Sequence, residues 1–247
     1  MTFPTHDRRR LGAAVAALLA TAAVTSTAFA QPADPLAAAR SEMVERQIRE
    51  RGIERPAILR AFGDVPRHEF VPDSLRDRAY GDEPLPLIDG EDAGPESISQ
   101  PYLSALMIEL LELEPGDRVL EIGTGSGYDA ALLSRLAATV YTIEIDPRLA
   151  EQAEQRLARL GYDNVRVRVS DGHEGWAEEA PFDAILLTAA PREVPTKLIG
   201  QLEIGGRMVV PVGTFVQELL VITRTASGEE KRTVMPIRVS AMRDERR

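Results

Sequence analysis

Three glycines at alternate positions, Gly123, Gly125 and Gly127, follow the apolar run RVLEI and open into YDAALLSRLA. Glycines let a turn bend sharply and approach a ligand where a Cβ would collide. At the end of a strand in a parallel sheet, such a loop borders the crevice in which ligands bind. The spacing is G-x-G-x-G, whereas dinucleotide-binding folds carry G-x-G-x-x-G. Glu121, two residues ahead of the first glycine, sharpens the difference. A carboxylate there would repel a pyrophosphate and favour S-adenosylmethionine, which carries an ammonium and a sulfonium. Glu144 closes the next apolar run, TVYTIE, where an acid can accept hydrogen bonds from both hydroxyls of a ribose. The pattern predicts methyl transfer over hydride transfer.

A second stretch, PESISQPYLSAL at 95–106, places Ser97 and Ser99 just ahead of Pro101 and a run with helical spacing. Pro suits the first turn of a helix, and a serine hydroxyl before it suits a cap. Ser99 either caps that helix or meets a substrate, and spacing alone leaves both open. His68, His173 and Trp176 read as packing residues. There is no cysteine, which excludes disulfides and thiolate chemistry, and three scattered histidines give no metal-ligand set. No metal is expected.

The elements that must position these residues alternate strand with helix. RVLEIG, TVYTIEI, NVRVRV, FDAILLT and GRMVVPV read as strands, with helices in DAALLSRLA, DPRLAEQAEQRLARLGY and VPTKLIGQL. QELLVITRT and KRTVMPIRV form a closing antiparallel pair around Ser227-Gly228. The expected fold is α/β: a seven-stranded doubly wound sheet of Rossmann-like type with N-terminal helices. Those helices fall in SEMVERQIRERGI and RPAILRAFGDV, and the proline-rich, charged segment from 66 to 97 reads as irregular.

The division expected is a leader at 1–30, a helical extension with a substrate-side loop at 31–100, and the ligand-binding domain at 101–247. Arg8 to Arg10, an uncharged Ala/Leu/Val segment and Ala28-Phe29-Ala30 have the layout of a secretory signal peptide. The alternative is an uncleaved anchor, since Leu11 to Ala30 carries no charge. The whole chain carries 29 basic and 39 acidic residues, a net charge of −10, and loss of 1–30 moves it near −12. An acidic chain without a basic block is a poor match to nucleic acid. The expected mature protein is an exported monomer with no membrane or nucleic-acid partner.

Across Glu42 to Arg238 the sequence resembles the protein-L-isoaspartate O-methyltransferases. The segments carrying the resemblance are VPRHEFVP, RAYGDEPLPL, ISQPYLSALMIELLELEPGDRVLEIGTGSGY, RLGYDNVRVRVSDGHEGW, APFDAILLTAAPREVP and GGRMVVPVG, in that order. The resemblance implies methylation, by S-adenosylmethionine, of the free α-carboxylate of L-isoaspartyl residues in damaged proteins or peptides, which starts their repair. It implies that Ser99 is the active-site serine, with Ser97, Ile98, Thr188 and Ala189 on the substrate side. It also implies that Gly123, Gly125 and Gly127 line the cofactor, Glu144 holds its ribose, and Asp171 with Gly172 meets its adenine.

Two departures stand out. DGEDAGPES at 89–97 is longer than the family's approach to this motif and adds Pro95 and Glu96 near an anionic acceptor. The family's closing V-R-F-V-P-L is here IRVSAM. The leader also points to the periplasm, away from the cytosol where S-adenosylmethionine is made; the alternative is a cytoplasmic protein, as is usual for the family. Other readings are methylation of a different carboxylate, or an exported domain that binds isoaspartyl peptides without activity.

Overall fold

The computed structural model describes residues 1–2, 34–88, 94 and 96–243. The leader reading and most of the acidic loop at 89–97 lie outside the described residues. Pro35–Arg247 forms one compact unit.

The chain enters through α1 (Ala37–Glu42), which continues as a π-turn over Met43–Ile48 and a 3₁₀ turn over Arg49–Arg51. Gly52, at φ 94°, ends it in the left-handed conformation that glycine adopts most readily. Helix α2 (Pro56–Asp64) starts on its proline and buries Ile58, Leu59, Ala61 and Phe62. The segment expected to be irregular holds a two-residue ladder, in which β1 (Leu85–Pro86) pairs antiparallel with β2 (Ser97–Ile98). Helix α3 (Pro101–Leu111) follows directly.

Strands β3 (Arg118–Ile122), β4 (Thr139–Glu144), β5 (Val165–Val169), β6 (Phe182–Leu187) and β7 (Leu202–Gly213) run parallel. Strands β8 (Gln217–Thr225) and β9 (Gly228–Ile237) return antiparallel along one edge. The order is β5-β4-β3-β6-β7-β8-β9, so the chain leaves β3 toward β4 on one side and reaches β6 on the other. That switch point is where a crevice opens beyond the strand ends. The turn of the last hairpin is Ala226-Ser227, one residue earlier than expected, because Gly228 already pairs with Thr225.

Alternation along the strands divides the core. Val119, Val140, Ala184, Leu186 and Val209 face α2, α3 and α4 (Tyr128–Ser134). Leu120, Ile122, Ile143, Ile185, Leu187, Met208 and Val210 pack on the opposite face with Leu198 and Ile199 of α6 (Thr196–Ile199). Helix α5 (Pro147–Arg159) turns Leu149, Ala150, Ala153 and Leu157 inward, and Asp146 caps it by accepting from Arg148 N. Among the described residues no helix is long and apolar enough to cross a membrane.

Candidate active site

A cavity opens at the carboxyl ends of β3, β4 and β6, with Gly123, Gly125, Glu144, Gly172, Thr188 and Ala189 among its lining residues. Gly123 and Gly125 have φ of 99° and 52°. A Cβ on Gly123 would overlap the hydroxyl of Thr188, which itself donates to the carbonyls of Ile122 (3.1 Å) and Gly123 (2.8 Å). The first glycine is therefore fixed by close approach to β6 as well as by its backbone conformation. Gly127 is different. It does not line the cavity, and its missing Cβ points at Leu157 and Ala153, so it lets α4 start close against α5.

Glu144 sits in a nest of backbone donors. Its Oε2 accepts from Gly125 N at 2.8 Å, and its Oε1 accepts from Ile145 N (2.9 Å) and Asp146 N (3.0 Å). An ionised carboxylate offers about four acceptor positions, so one more donor can be taken without breaking the nest. The same bonds tie the glycine loop to the end of β4.

Glu121 departs from expectation. It is fully buried and does not line the cavity. The reason is strand periodicity: Ile122 faces the cavity side, so Glu121 points to the other face, opposite Thr142 in the register. Thr142 Oγ1 donates to Glu121 Oε2 at 2.5 Å and lies 2.6 Å from Thr124 Oγ1. Glu121 thus supports the loop from beneath through two hydroxyls. Burial pushes its carboxyl well above the usual range, with the charges of Asp129 and Glu144 adding to the effect. Burial raises Asp129 as well.

On the acceptor side, Gln100 occupies the cap position of α3 and its side chain makes no capping bond. Ser99 precedes the cap, is half-buried, and its hydroxyl has no hydrogen-bond partner among the described residues. Of its two sequence readings, the cap is the one the structure removes. Ser99 does not itself line the cavity, whereas Ser97, exposed on β2, does. Ile98 was expected on the substrate side but is buried in the core opposite Leu85, again by alternation along its strand. Asp171, in the turn after β5, accepts from His173 N at 2.9 Å and lies 2.9 Å from His173 Nδ1. A Cβ on Gly172 would overlap Ile122 and come within 2.9 Å of Met242. Trp176 packs edge-on against Tyr141 and His68 meets the Tyr80 hydroxyl at 2.7 Å.

The sequence reading missed the far wall. Ser240, Ala241, Met242 and Arg243 line the cavity as an irregular strap. Ala190 N donates to Ser240 O and Met242 N to Ala190 O, both at 2.8 Å. Gln217 on β8 holds the strap's start, accepting from Val239 N (2.8 Å) and donating to Val239 O (3.1 Å). The one signal was a buried polar residue, Gln217, at the start of a strand whose middle, LLVI, is apolar. Among the described residues no group of three His, Asp or Glu could hold a metal.

The family model of protein-L-isoaspartate(D-aspartate) O-methyltransferase matches residues 38–244. The protein-L-isoaspartate O-methyltransferase of Picosynechococcus sp. is 48% identical over 206 residues, covering 83% of this chain and 90% of that one. The enzyme of that name from Gloeobacter violaceus is 50% identical over 198 residues, covering 79% and 94%. A solved protein-L-isoaspartate O-methyltransferase superposes with a TM-score of 0.74 at 31% identity, covering 82% of this chain and 65% of its own. With its glycine loop, Glu144 and SISQP segment set at one end of this sheet, the chain belongs to the protein-L-isoaspartate(D-aspartate) O-methyltransferase family.

Proposed function

We propose that this chain uses S-adenosylmethionine to methylate the free α-carboxylate of L-isoaspartyl residues in proteins and peptides, the first step of their repair. The observation that carries the reading is the cradle at the β3, β4 and β6 ends, where Gly123, Gly125 and Gly172 line the cavity together with the Glu144 carboxylate and a side chain on any of them would crowd Thr188, Leu87 or Ile122. That cradle fits a nucleoside whose ribose donates to Glu144 and whose amino-acid tail lies along the glycine loop. When bound, S-adenosylmethionine supplies a methyl group made electrophilic by its sulfonium.

The chain's own task is small. The acceptor carboxylate is already anionic at neutral pH and brings the electron pair, so no general base is required. An O–CH₃ bond forms as the S–CH₃ bond breaks, and no proton moves. Charge is lost in the step, so excluding water and fixing the two reactants in line are what the protein contributes. The Ser99 hydroxyl, without a hydrogen-bond partner among the described residues, donates to one oxygen of the acceptor and aims the other at the methyl carbon. Residues 1–30 we assign to export.

The test is the full chain with labelled S-adenosylmethionine, an isoaspartyl peptide and its aspartyl twin, counting base-labile methyl ester. Label is expected on the isoaspartyl peptide alone. Losing one hydrogen bond to a charged group costs about 1.5–3 kcal/mol, so Ser99→Ala should lower kcat/KM by roughly 10- to 100-fold. Equal label on both peptides overturns the reading.

A further inference from the structure

Glu96 and Arg243 are 147 residues apart and meet across the mouth of the cavity, Arg243 Nη1 to Glu96 Oε1 at 2.8 Å. Both line it: Glu96 leads into β2 and the SISQP segment, and Arg243 follows Met242 on the strap. Among the described lining residues, Glu96 and Glu144 are the acidic side chains. Among the described lining residues, Arg243 is the one cation.

We propose that Arg243 is the carboxylate-binding residue of this site and that Glu96 occupies it when no acceptor is bound. The proposal rests on the functional reading above and adds the residue that selects the acceptor's charge. An anionic acceptor approaching Glu96 and Glu144 needs a compensating positive charge, and a guanidinium is the group best shaped to grip a carboxylate. The resting pair is suited to exchange. Arg243 and Glu96 side chains are 53% and 27% exposed, and a pair so open to water is held weakly. An incoming carboxylate that also meets Ser99 displaces Glu96 from Arg243, and Glu96 turns to solvent. The carboxylate of the co-substrate is the other anion that enters the cavity. Arg243 is placed for the acceptor, because its partner Glu96 adjoins Ser97 and leads directly to Ser99.

The experiment uses the full chain as wild type, Arg243→Gln, Arg243→Lys and Glu96→Gln. Steady-state methylation gives kcat and KM for an isoaspartyl peptide, and calorimetry gives the affinity for S-adenosylhomocysteine and for the peptide on the S-adenosylhomocysteine-loaded enzyme. Arg243→Gln should raise the peptide KM and Kd by roughly 3- to 10-fold, the range of a partly exposed charged hydrogen bond, with S-adenosylhomocysteine affinity within about twofold. Arg243→Lys should recover part of the loss, and Glu96→Gln should lower the peptide KM by freeing Arg243. Unchanged peptide KM and Kd in Arg243→Gln overturn the proposal while wild-type methylation leaves the functional reading intact. A loss confined to S-adenosylhomocysteine assigns Arg243 to the co-substrate's carboxylate and overturns it too. A wild type that binds the isoaspartyl peptide through Arg243 without methylating it overturns the functional reading alone.

Discussion

Glu121 and Glu144 are two carboxylates that flank the same glycine loop, yet only one can meet a ligand. Glu144 stands at the cavity with its oxygens accepting from three backbone N–H groups. Glu121 is buried beneath the loop with a single hydroxyl donating to it. Its carboxyl therefore keeps its proton to higher pH in the folded chain than in the unfolded one. For an acid shifted upward, stability is fully present below the unfolded pKa and is lost as pH rises toward the folded value. Glu121→Gln should match wild type near pH 4 and exceed it at pH 8, measured by urea unfolding at each pH. A gap independent of pH would mean that Glu121 is ionised within the fold. The sequence places both glutamates on the cofactor side, Glu121 by its charge ahead of the loop and Glu144 as the ribose acceptor, since each lies beside the loop. What separates them is the face of the strand, and near a strand end a one-residue change in phase decides between ligand and core. Ile98 turns inward by the same alternation, next to Ser97 on the cavity, whereas Gly127 is turned away by the close approach of α4 to Leu157 and Ala153 of α5.

At the scale of elements, the strands were legible because β3, β4, β6 and β7 carry apolar runs punctuated by glycine, proline or charge, while β5 alternates Val with Arg and β8 and β9 flank a Ser-Gly turn signal. The strap at 238–243 was not. It makes one isolated bridge, Ala190 with Ala241, and its course is set by the side chain of Gln217, 22 residues before the backbone it grips at Val239. No period in IRVSAM announces such a contact. The strap still forms a wall of the cavity, so Gln217 belongs to the site although it touches no ligand. Gln217→Ala removes both bonds and should cost about 1–3 kcal/mol of stability, seen as a lower urea midpoint. The affinity for S-adenosylhomocysteine should fall with it, because Ala241 and Met242 are released from the lining. A stability loss with unchanged affinity would show that the Ala190 bridge alone keeps the strap in place.

Over the whole molecule, the described core is filled by residues running from Leu36 to Met242, and the compact unit begins at Pro35. The N-terminal helices contribute Met43, Ile48, Ile58 and Phe62 to the cluster that also holds Val119 and Tyr128 of the ligand-binding half. They pack as part of one body, which explains why the family match already begins at residue 38. The export assignment then has a physical consequence. If residues 1–30 act as an address and the fold is complete without them, a chain of residues 31–247 should unfold at the same temperature as the full chain and methylate at the same rate. The protein recovered from cells should begin at Gln31, as read by N-terminal sequencing of the soluble envelope fraction. An intact N-terminus in the membrane fraction would favour the anchor, whose uncharged stretch from Leu11 to Ala30 has the length to span a bilayer. A lower melting temperature for the shortened chain would instead tie the leader to the fold.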